Sequence, residues 1–306
     1  MQAVVCTRYG PPEVLCLTEV DQPEPGPGEV RVRVRATTVT TSDCFVRGFR
    51  LKPSLWIPAR LVLGVTRPRR PVLGMVFAGD VDAVGPGVAA TQVGQAVYGF
   101  DRFRFGCYAE YKVLPASGVV APKPANLDYE RAAALPYGGL LALSFLRGRV
   151  RPGQNVLVYG GSGAVGTAAV QLAKHDGARV TAVCGPANAD LVASLGADTV
   201  IDYHRQDVTE VDERFDLIFV AVGDRVGPPT RRHCRRILTP DGTYLAVDQG
   251  RPVVRGDDLR LLTRLAEAGR LTPVIDRRYG LAEMAEAHRY VEGGHKRGNV
   301  VVTVAS

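Results

Sequence analysis

The sequence predicts an α/β fold: a doubly wound parallel sheet in the second half of the chain, preceded by a β-rich part that reads as a barrel. Three observations carry this. From about residue 123, apolar strand patterns alternate with helical ones, the rhythm of a parallel sheet with helices on its faces. Before that point, short β-branched runs are separated by glycine and proline punctuation. At the first strand–helix junction stands a glycine-rich turn, Tyr159-Gly160-Gly161-Ser162-Gly163-Ala164-Val165-Gly166.

In the first third, residues 2–6, 14–20 and 30–36 cluster or alternate β-branched residues. They are divided by Gly10-Pro11-Pro12 and by the Pro/Gly run from Pro23 to Gly28. Val72 to Val84 is a further strand pair, closed by Gly85-Pro86-Gly87. Val93 to Gly99 and Cys107 to Leu114 complete the expected barrel. The parallel strands are expected at 156–159, 180–183, 199–202, 216–221 and 243–247, with helices between them. After the first of these, Val165, Ala169 and Leu172 fall at i, i+4, i+7, and Gly177 is placed to end the helix. Gly161, Gly163 and Gly166 thus satisfy GxGxxG in a strand–turn–helix–strand unit. Two glycines let the backbone turn and approach a pyrophosphate, the third lets helix pack on strand, and the helix N-terminus offers free N–H groups to the anion. Nucleotide binding through Gly160, Gly161, Ser162, Gly163, Ala164, Val165 and Gly166 is expected. A last helix, Leu281 to Glu292, and a strand, Val300 to Val304, close the chain.

Composition excludes several classes. With 306 residues, 46% hydrophobic and 23% charged, the chain is an ordinary globular one of two domains. No apolar run reaches spanning length, and Met1-Gln2-Ala3-Val4-Val5 lacks a charged-then-apolar leader pattern, so a cytoplasmic location and no membrane partner are expected. The six cysteines are scattered without a CxxC, which suggests neither a disulfide framework nor a structural metal. The net charge of +7 comes with only five lysines, so it reflects a bias toward arginine. Arginines cluster at 67, 69 and 70 and at 231, 232, 235 and 236, without interleaved aromatics; solvated surface is expected rather than a nucleic-acid face.

Several further motifs resemble one family. Tyr9-Gly10-Pro11-Pro12-Glu13-Val14-Leu15 opens the chain. Leu73-Gly74-Met75-Val76-Phe77-Ala78-Gly79 and Val84-Gly85-Pro86-Gly87-Val88 follow. Ala132-Ala133-Ala134-Leu135-Pro136, Ser194-Leu195-Gly196-Ala197-Asp198 and Val200-Ile201-Asp202-Tyr203 complete the set. Together they are similar to the medium-chain dehydrogenase/reductase superfamily, in its zinc-independent, quinone-oxidoreductase-like branch, over nearly the whole length. The resemblance implies a GroES-like β-barrel catalytic domain (residues 1–122 and 277–306) and a Rossmann cofactor domain (123–276). Zinc alcohol dehydrogenases of the superfamily carry Gly-His-Glu in the barrel signature, where this chain has Gly74-Met75-Val76. The upstream ligand position falls in Thr40-Thr41-Ser42-Asp43-Cys44, and only Cys107 lies where a four-cysteine lobe would be. No bound metal is expected. Without a Lewis acid, reduction of a double bond conjugated to a carbonyl is favoured over alcohol dehydrogenation, because the charge reaches an oxygen that one hydrogen-bond donor stabilises. A small-molecule enone or quinone, bulky polycyclic ones included, is the expected substrate. A non-redox cyclase, an isomerase or a binding protein on the same fold is the alternative.

NADP(H) is the expected cofactor. The second strand ends in Val183-Cys184-Gly185-Pro186, with no acid to bind a ribose diol or repel a 2′-phosphate. Tyr203 and Arg205 follow the third strand and are suited to that phosphate; the resemblance implies the same for Tyr203. It also assigns Thr40 and Asp43 to the loop facing the nicotinamide and Tyr137 to the domain junction; Tyr137 is the expected hydrogen-bond donor to the substrate carbonyl, and Val222-Gly223, after the fourth strand, is expected to face the cofactor ribose. Tyr98, Phe103 and Phe105, expected in barrel loops, and Trp56, on a proline-broken lid, are the expected substrate pocket. Asp43 is expected to hold its loop through Arg47, and the five histidines to sit at helix ends or turns. The region after the fifth parallel strand, Val247 to Asp257, is shorter than the family's, so its edge-to-edge dimer is expected to be weak or absent.

Overall fold

The computed structural model describes residues 1–50, 56–89, 91–102, 104–223, 227, 229–250 and 252–304. The chain divides into two compact units, Met1–Pro136 with Ile275–Ser306, and Tyr137–Val274.

In the first unit, β1 (Gln2–Cys6) pairs antiparallel with β2 (Leu15–Glu19). The main sheet is built on β3 (Glu29–Val39), whose Glu-Val-Arg-Val-Arg-Val-Arg-Ala alternation sends Val30, Val32 and Val34 into the core. Its arginines point the other way: Arg31 binds Asp82 and Glu24, and Arg35 binds Asp80. β4 (Val76–Val84) and β6 (Tyr111–Pro115) flank β3, and β5 (Ala96–Phe100) and β7 (Val120–Pro122) follow on from β4. At Gly79 the backbones of β3 and β4 come so close that a Cβ would stand 2.0 Å from the Arg33 carbonyl oxygen. The C-terminal segment completes the sheet: β14 (Asn299–Thr303) lies antiparallel on β3, and β13 (Ile275–Gly280) parallel on β14. The helices of this unit are α1 (Thr41–Gly48), α2 (Trp56–Leu63), α3 (Tyr129–Ala133) and α8 (Met284–Glu292).

The division falls at Pro136/Tyr137 rather than at 122/123. The reason is α3. Its Ala132 and Ala133 are fully buried, Tyr129 donates to Asp80 on β4, and Glu130 accepts from Thr303 on β14 at 2.8 Å. Residues 123–136 are therefore tied to the first unit.

The second unit carries a five-stranded sheet of β8 (Asn155–Tyr159), β9 (Arg179–Cys184), β10 (Thr199–Asp202), β11 (Phe215–Val220) and β12 (Leu238–Ala246), after the opening helix α4 (Pro136–Leu146). The order is β10-β9-β8-β11-β12 and every pair is parallel. The core strands read as continuous apolar runs because both faces are covered, with Val156, Leu157, Val158, Ile218, Phe219 and Val220 fully buried. The helices are α5 (Ala164–His175), α6 (Ala189–Ser194) and α7 (Gly256–Glu267). Between β11 and β12 the described helical residues form only a 3-10 turn, His233–Ile237, because this arginine-rich stretch buries just Cys234 and Ile237. The described residues 252–255 add no strand: the Val253 N–H donates to Ser144 Oγ at 2.9 Å, and α7 begins at once. The strand order reverses between β8 and β11, and ligands of such sheets lie beyond the strand C-termini at that point.

Candidate cofactor and active site

The glycine-rich turn lies at the end of β8, on this switch point. Gly160 adopts φ +82°, and a Cβ there would stand 2.3 Å from Val222 Cγ1. The N–H groups of Gly160 and Gly161 both donate to the Val183 carbonyl at 2.9 Å, which locks the turn to β9. At Gly166 a Cβ would meet the Gly160 carbonyl oxygen at 2.0 Å, so helix and turn touch backbone to backbone. Gly163 differs from these. It caps α5 in extended geometry (φ −78°, ψ 174°), and a Cβ there meets nothing nearer than Gly160 O at 3.8 Å. The protein leaves Gly163 open, and this helix N-terminus has no side chain to accept from its first-turn N–H groups. A bare helix start behind an open glycine fits a phosphate anion.

The other expected cofactor residues gather around this turn. Val222 rests against Gly160, and the neighbouring Gly223 has open space where a side chain would be. Cys184 is buried at the end of β9, where burial pushes its thiol up to about 11 and keeps it neutral. At Gly185 a Cβ would lie 3.3 Å from the Tyr203 hydroxyl, so Tyr203 reaches over the end of β9 while remaining half-exposed. Arg205 is exposed and makes no ion pair among the described residues. The Asp202 carboxylate is engaged locally, accepting from the His204 N–H at 2.9 Å. One neighbour was missed: Asn188 Nδ2 donates to Ser162 Oγ at 3.3 Å, joining the segment after β9 to the turn. Nothing in the spacing marks Asn188, because the contact exists only through the pairing of β8 with β9.

In the first unit, Thr40 and Asp43 come together as the N-terminal capping box of α1. The Asp43 N–H donates to Thr40 Oγ1 at 3.2 Å; the Thr40 N–H and hydroxyl donate to Asp43 Oδ2 at 2.9 and 2.6 Å. Asp43 is fully buried. Burial raises its pKa from 3.8 to about 6, against the lowering effect of Thr40, Tyr108 and the Gly74 amide. Its second oxygen, Oδ1, has no partner at hydrogen-bond geometry.

Arg47 does not hold Asp43. Its long side chain, also fully buried, turns to the Gly10 carbonyl at 2.8 Å and to Glu292 on α8. Nor is His288 at a helix end. It lies within α8 on the buried stripe of Met284, Ala287 and Val291, with Nδ1 3.4 Å from Cys44 Sγ and Nε2 3.2 Å from the Tyr108 hydroxyl. Burial, helped by the nearby Arg47 charge, drops its pKa to about 3, so the ring is neutral. Its place on an apolar stripe was the legible signal.

One pocket expectation is corrected. Tyr98 is fully buried within β5, between Ala78 of β4 and Ala121 of β7, and not in a loop. Phe105 lies in a loop, as expected, and is buried there at φ +50°, with its carbonyl accepting from the buried Lys112 ammonium. Trp56 is exposed, at the start of α2. Phe103 lies outside the described residues. Tyr137, in the first turn of α4, is half-buried. Met75 and Val76 are buried at the barrel signature, and among the described residues no three His, Cys, Asp or Glu side chains cluster as a metal would require.

Comparison with known proteins agrees with this architecture. The family "Alcohol dehydrogenase GroES-like domain" matches residues 26–125, and "Zinc-binding dehydrogenase" families match 164–253 and 251–302. The chain is 31% identical over 254 residues to the chloroplastic NADPH-dependent alkenal/one oxidoreductase of Arabidopsis thaliana, covering 77% of this chain and 64% of that protein. It also spans 64% of the 2-methylene-furan-3-one reductase of Solanum lycopersicum. Against the trans-enoyl reductase pgmF of Aspergillus terreus the identity is 31% over 302 residues, covering 84% of this chain and 82% of the relative. Among solved structures, the quinone oxidoreductase from Coxiella burnetii superposes with a TM-score of 0.84 at 27% identity, covering 100% of this chain and 99% of that one. With its turn, sheet order and barrel sequence all pointing the same way, the chain belongs to the medium-chain dehydrogenase/reductase superfamily and is quinone-oxidoreductase-like.

Proposed function

We propose that the chain is an NADPH-dependent, zinc-free reductase of a double bond conjugated to a carbonyl, in an enone or a quinone. The observation that carries this is the turn at the end of β8, where the fold requires Gly160 and Gly166, packs Gly161 tightly, and leaves Gly163 alone open toward an uncapped helix N-terminus. The names of the relatives, an alkenal/one oxidoreductase, a trans-enoyl reductase and a quinone oxidoreductase, support the substrate class.

In this reading Gly160 to Gly166 and the first turn of α5 hold the pyrophosphate, and Val222 and Gly223 flank the adjoining ribose. Tyr203 and Arg205 receive the 2′-phosphate, with no carboxylate at the end of β9 to oppose it. The cofactor, when bound, supplies a hydride. Tyr137 donates a hydrogen bond to the substrate carbonyl, where charge accumulates as the double bond is reduced. Thr40 spends its hydroxyl proton on Asp43, so the pair positions the loop ahead of α1 rather than delivering a proton. Met75 in place of a histidine leaves polarisation to hydrogen bonding. The test is NADPH oxidation, followed by absorbance, across a panel of quinones and enones. Turnover of these, with none of simple saturated alcohols and NADP⁺, is expected; alcohol oxidation that chelators abolish would overturn the reading.

A further inference from the structure

We propose that α2 and the loop after it form a docking surface for an anionic lipid membrane, on which the chain rests peripherally. Ten large hydrophobic side chains are exposed among the described residues, and five of them lie in this one stretch: Trp56, Ile57, Leu61, Val62 and Val65, at 52 to 77% exposure. No residue of α2 is buried. A short helix that is apolar around its circumference is stable in contact with something apolar, and a patch of this kind marks an interaction site.

Charge indicates what that something is. From Cys44 to Gly79 the sequence holds no Asp or Glu but seven basic residues. Arg60 is used internally: its guanidinium lies 4.0 Å from the Phe49 ring and 5.0 Å from the Tyr9 ring and binds the Val65 carbonyl, fastening α2 to the first unit. Arg67, Arg69 and Arg70 stay exposed directly after the helix. Arg67 and Arg69 line a cavity of about 590 Å³ together with Thr7 and Thr66, which gives an anionic headgroup both charge and hydroxyl partners. An apolar helix with a tryptophan at one end and arginines at the other has the chemistry of an interfacial segment. Its side chains enter the acyl boundary while guanidinium groups meet phosphates. A second copy is a poorer occupant, because a two-fold contact would bring the same three arginines of each chain together. The absence of a spanning apolar run, on which the expectation of no membrane partner rested, does not bear on a helix lying in the surface.

Trp56 is the only tryptophan of the chain, so its emission reports on this helix directly. The intact protein is mixed with vesicles of phosphatidylcholine alone or with added phosphatidylglycerol, at low and high salt. With anionic vesicles the emission shifts to shorter wavelength and the protein co-sediments; neutral vesicles and high salt weaken both effects. Each near-surface arginine is worth roughly a fivefold change in partitioning, so Arg67→Gln with Arg69→Gln lowers it by roughly 30-fold. Ile57→Asp with Leu61→Asp abolishes it, and since these side chains are exposed, far-UV circular dichroism stays unchanged. The proposal is overturned if wild type neither shifts nor co-sediments, or if neutral vesicles bind it equally. It is also overturned if the shift appears without lipid, in step with a dimer seen by light scattering; that result gives α2 to a second copy.

Discussion

Asp43 and His288 share one buried cluster, linked by Cys44 and Tyr108, and burial displaces their proton equilibria so that both favour the neutral form. Asp43 moves from 3.8 up to about 6 and His288 from 6.5 down to about 3. Between about pH 4 and 6 the unfolded chain carries a carboxylate and an imidazolium at these positions, while the folded chain carries neither charge. Folding in that window takes up a proton at Asp43 and releases one at His288. The two contributions to the pH dependence of stability therefore oppose each other. The Asp43 penalty is relieved below pH 3.8 and grows to full size as pH rises through about 6. The contribution of neutral His288 is complete above pH 6.5 and is lost as pH falls toward 3. Each single variant should expose the other group. One proton of difference changes stability by about 1.4 kcal/mol per pH unit. Relative to wild type, Asp43→Asn should therefore gain stability by roughly 2 kcal/mol from pH 4 to pH 6, because the Asp43 penalty no longer grows. His288→Gln should lose a similar amount over the same range, and the double variant should track wild type with a constant offset. Urea unfolding followed by circular dichroism, at fixed slope m, measures each curve. Two single-variant curves that run parallel to wild type would refute the displaced equilibria and the burial argument behind them.

Other predictions concern the second unit. Gly166→Ala forces a Cβ to within 2.0 Å of a carbonyl oxygen and should cost about 3 kcal/mol, lowering Tm by roughly 5–10 °C, whereas Gly163→Ala should leave Tm nearly unchanged. Differential scanning calorimetry separates the two. Wild type should prefer NADPH over NADH by roughly tenfold to a hundredfold, the worth of one charge-assisted contact of about 1.5–3 kcal/mol. Tyr203→Phe and Arg205→Ala should erode that preference while sparing NADH; in steady-state kinetics, a wild type that prefers NADH contradicts the assignment. The described residues 252–255 contain no strand, and Pro252 has no N–H to donate to a ladder. A dimer formed by joining sheets there should be absent from light scattering, and a structure with a sheet running across two subunits through this stretch would show otherwise.

What the sequence made legible follows the range of the forces involved. The turn could be placed because Gly166 packs on the Gly160 backbone within the same short segment and Gly160 takes a positive φ, both local demands that only glycine meets. The stretch from Val93 to Gly99 was legible as part of the barrel, but the burial of Tyr98 was not: all but the first residue of β5 is buried, so no alternation marks which side chains face away from solvent. Arg47 lies one helical turn from Asp43, which suggested a pair, yet a side chain that long is free to choose Glu292 instead. The cluster of Cys44 and His288 joins residues 244 apart and forms only because β14 lies on β3 and brings α8 with it. The end of the first unit was misplaced for the same kind of reason, since α3 is held by side-chain bonds to strands far off in sequence.

The most direct measurement is a fluorescence titration of NADPH into wild type and Gly163→Asp, with the circular dichroism of each recorded alongside. Aspartate is a preferred residue at a helix N-cap, and the space at Gly163 is open, so the variant should fold as wild type does. Its carboxylate would then occupy the helix N-terminus in place of the pyrophosphate and repel it. Loss of NADPH binding by at least roughly a hundredfold in a folded variant is the expected result. Unchanged affinity in that folded variant would contradict the assignment of the turn, and with it the proposal that this chain works with a nicotinamide cofactor.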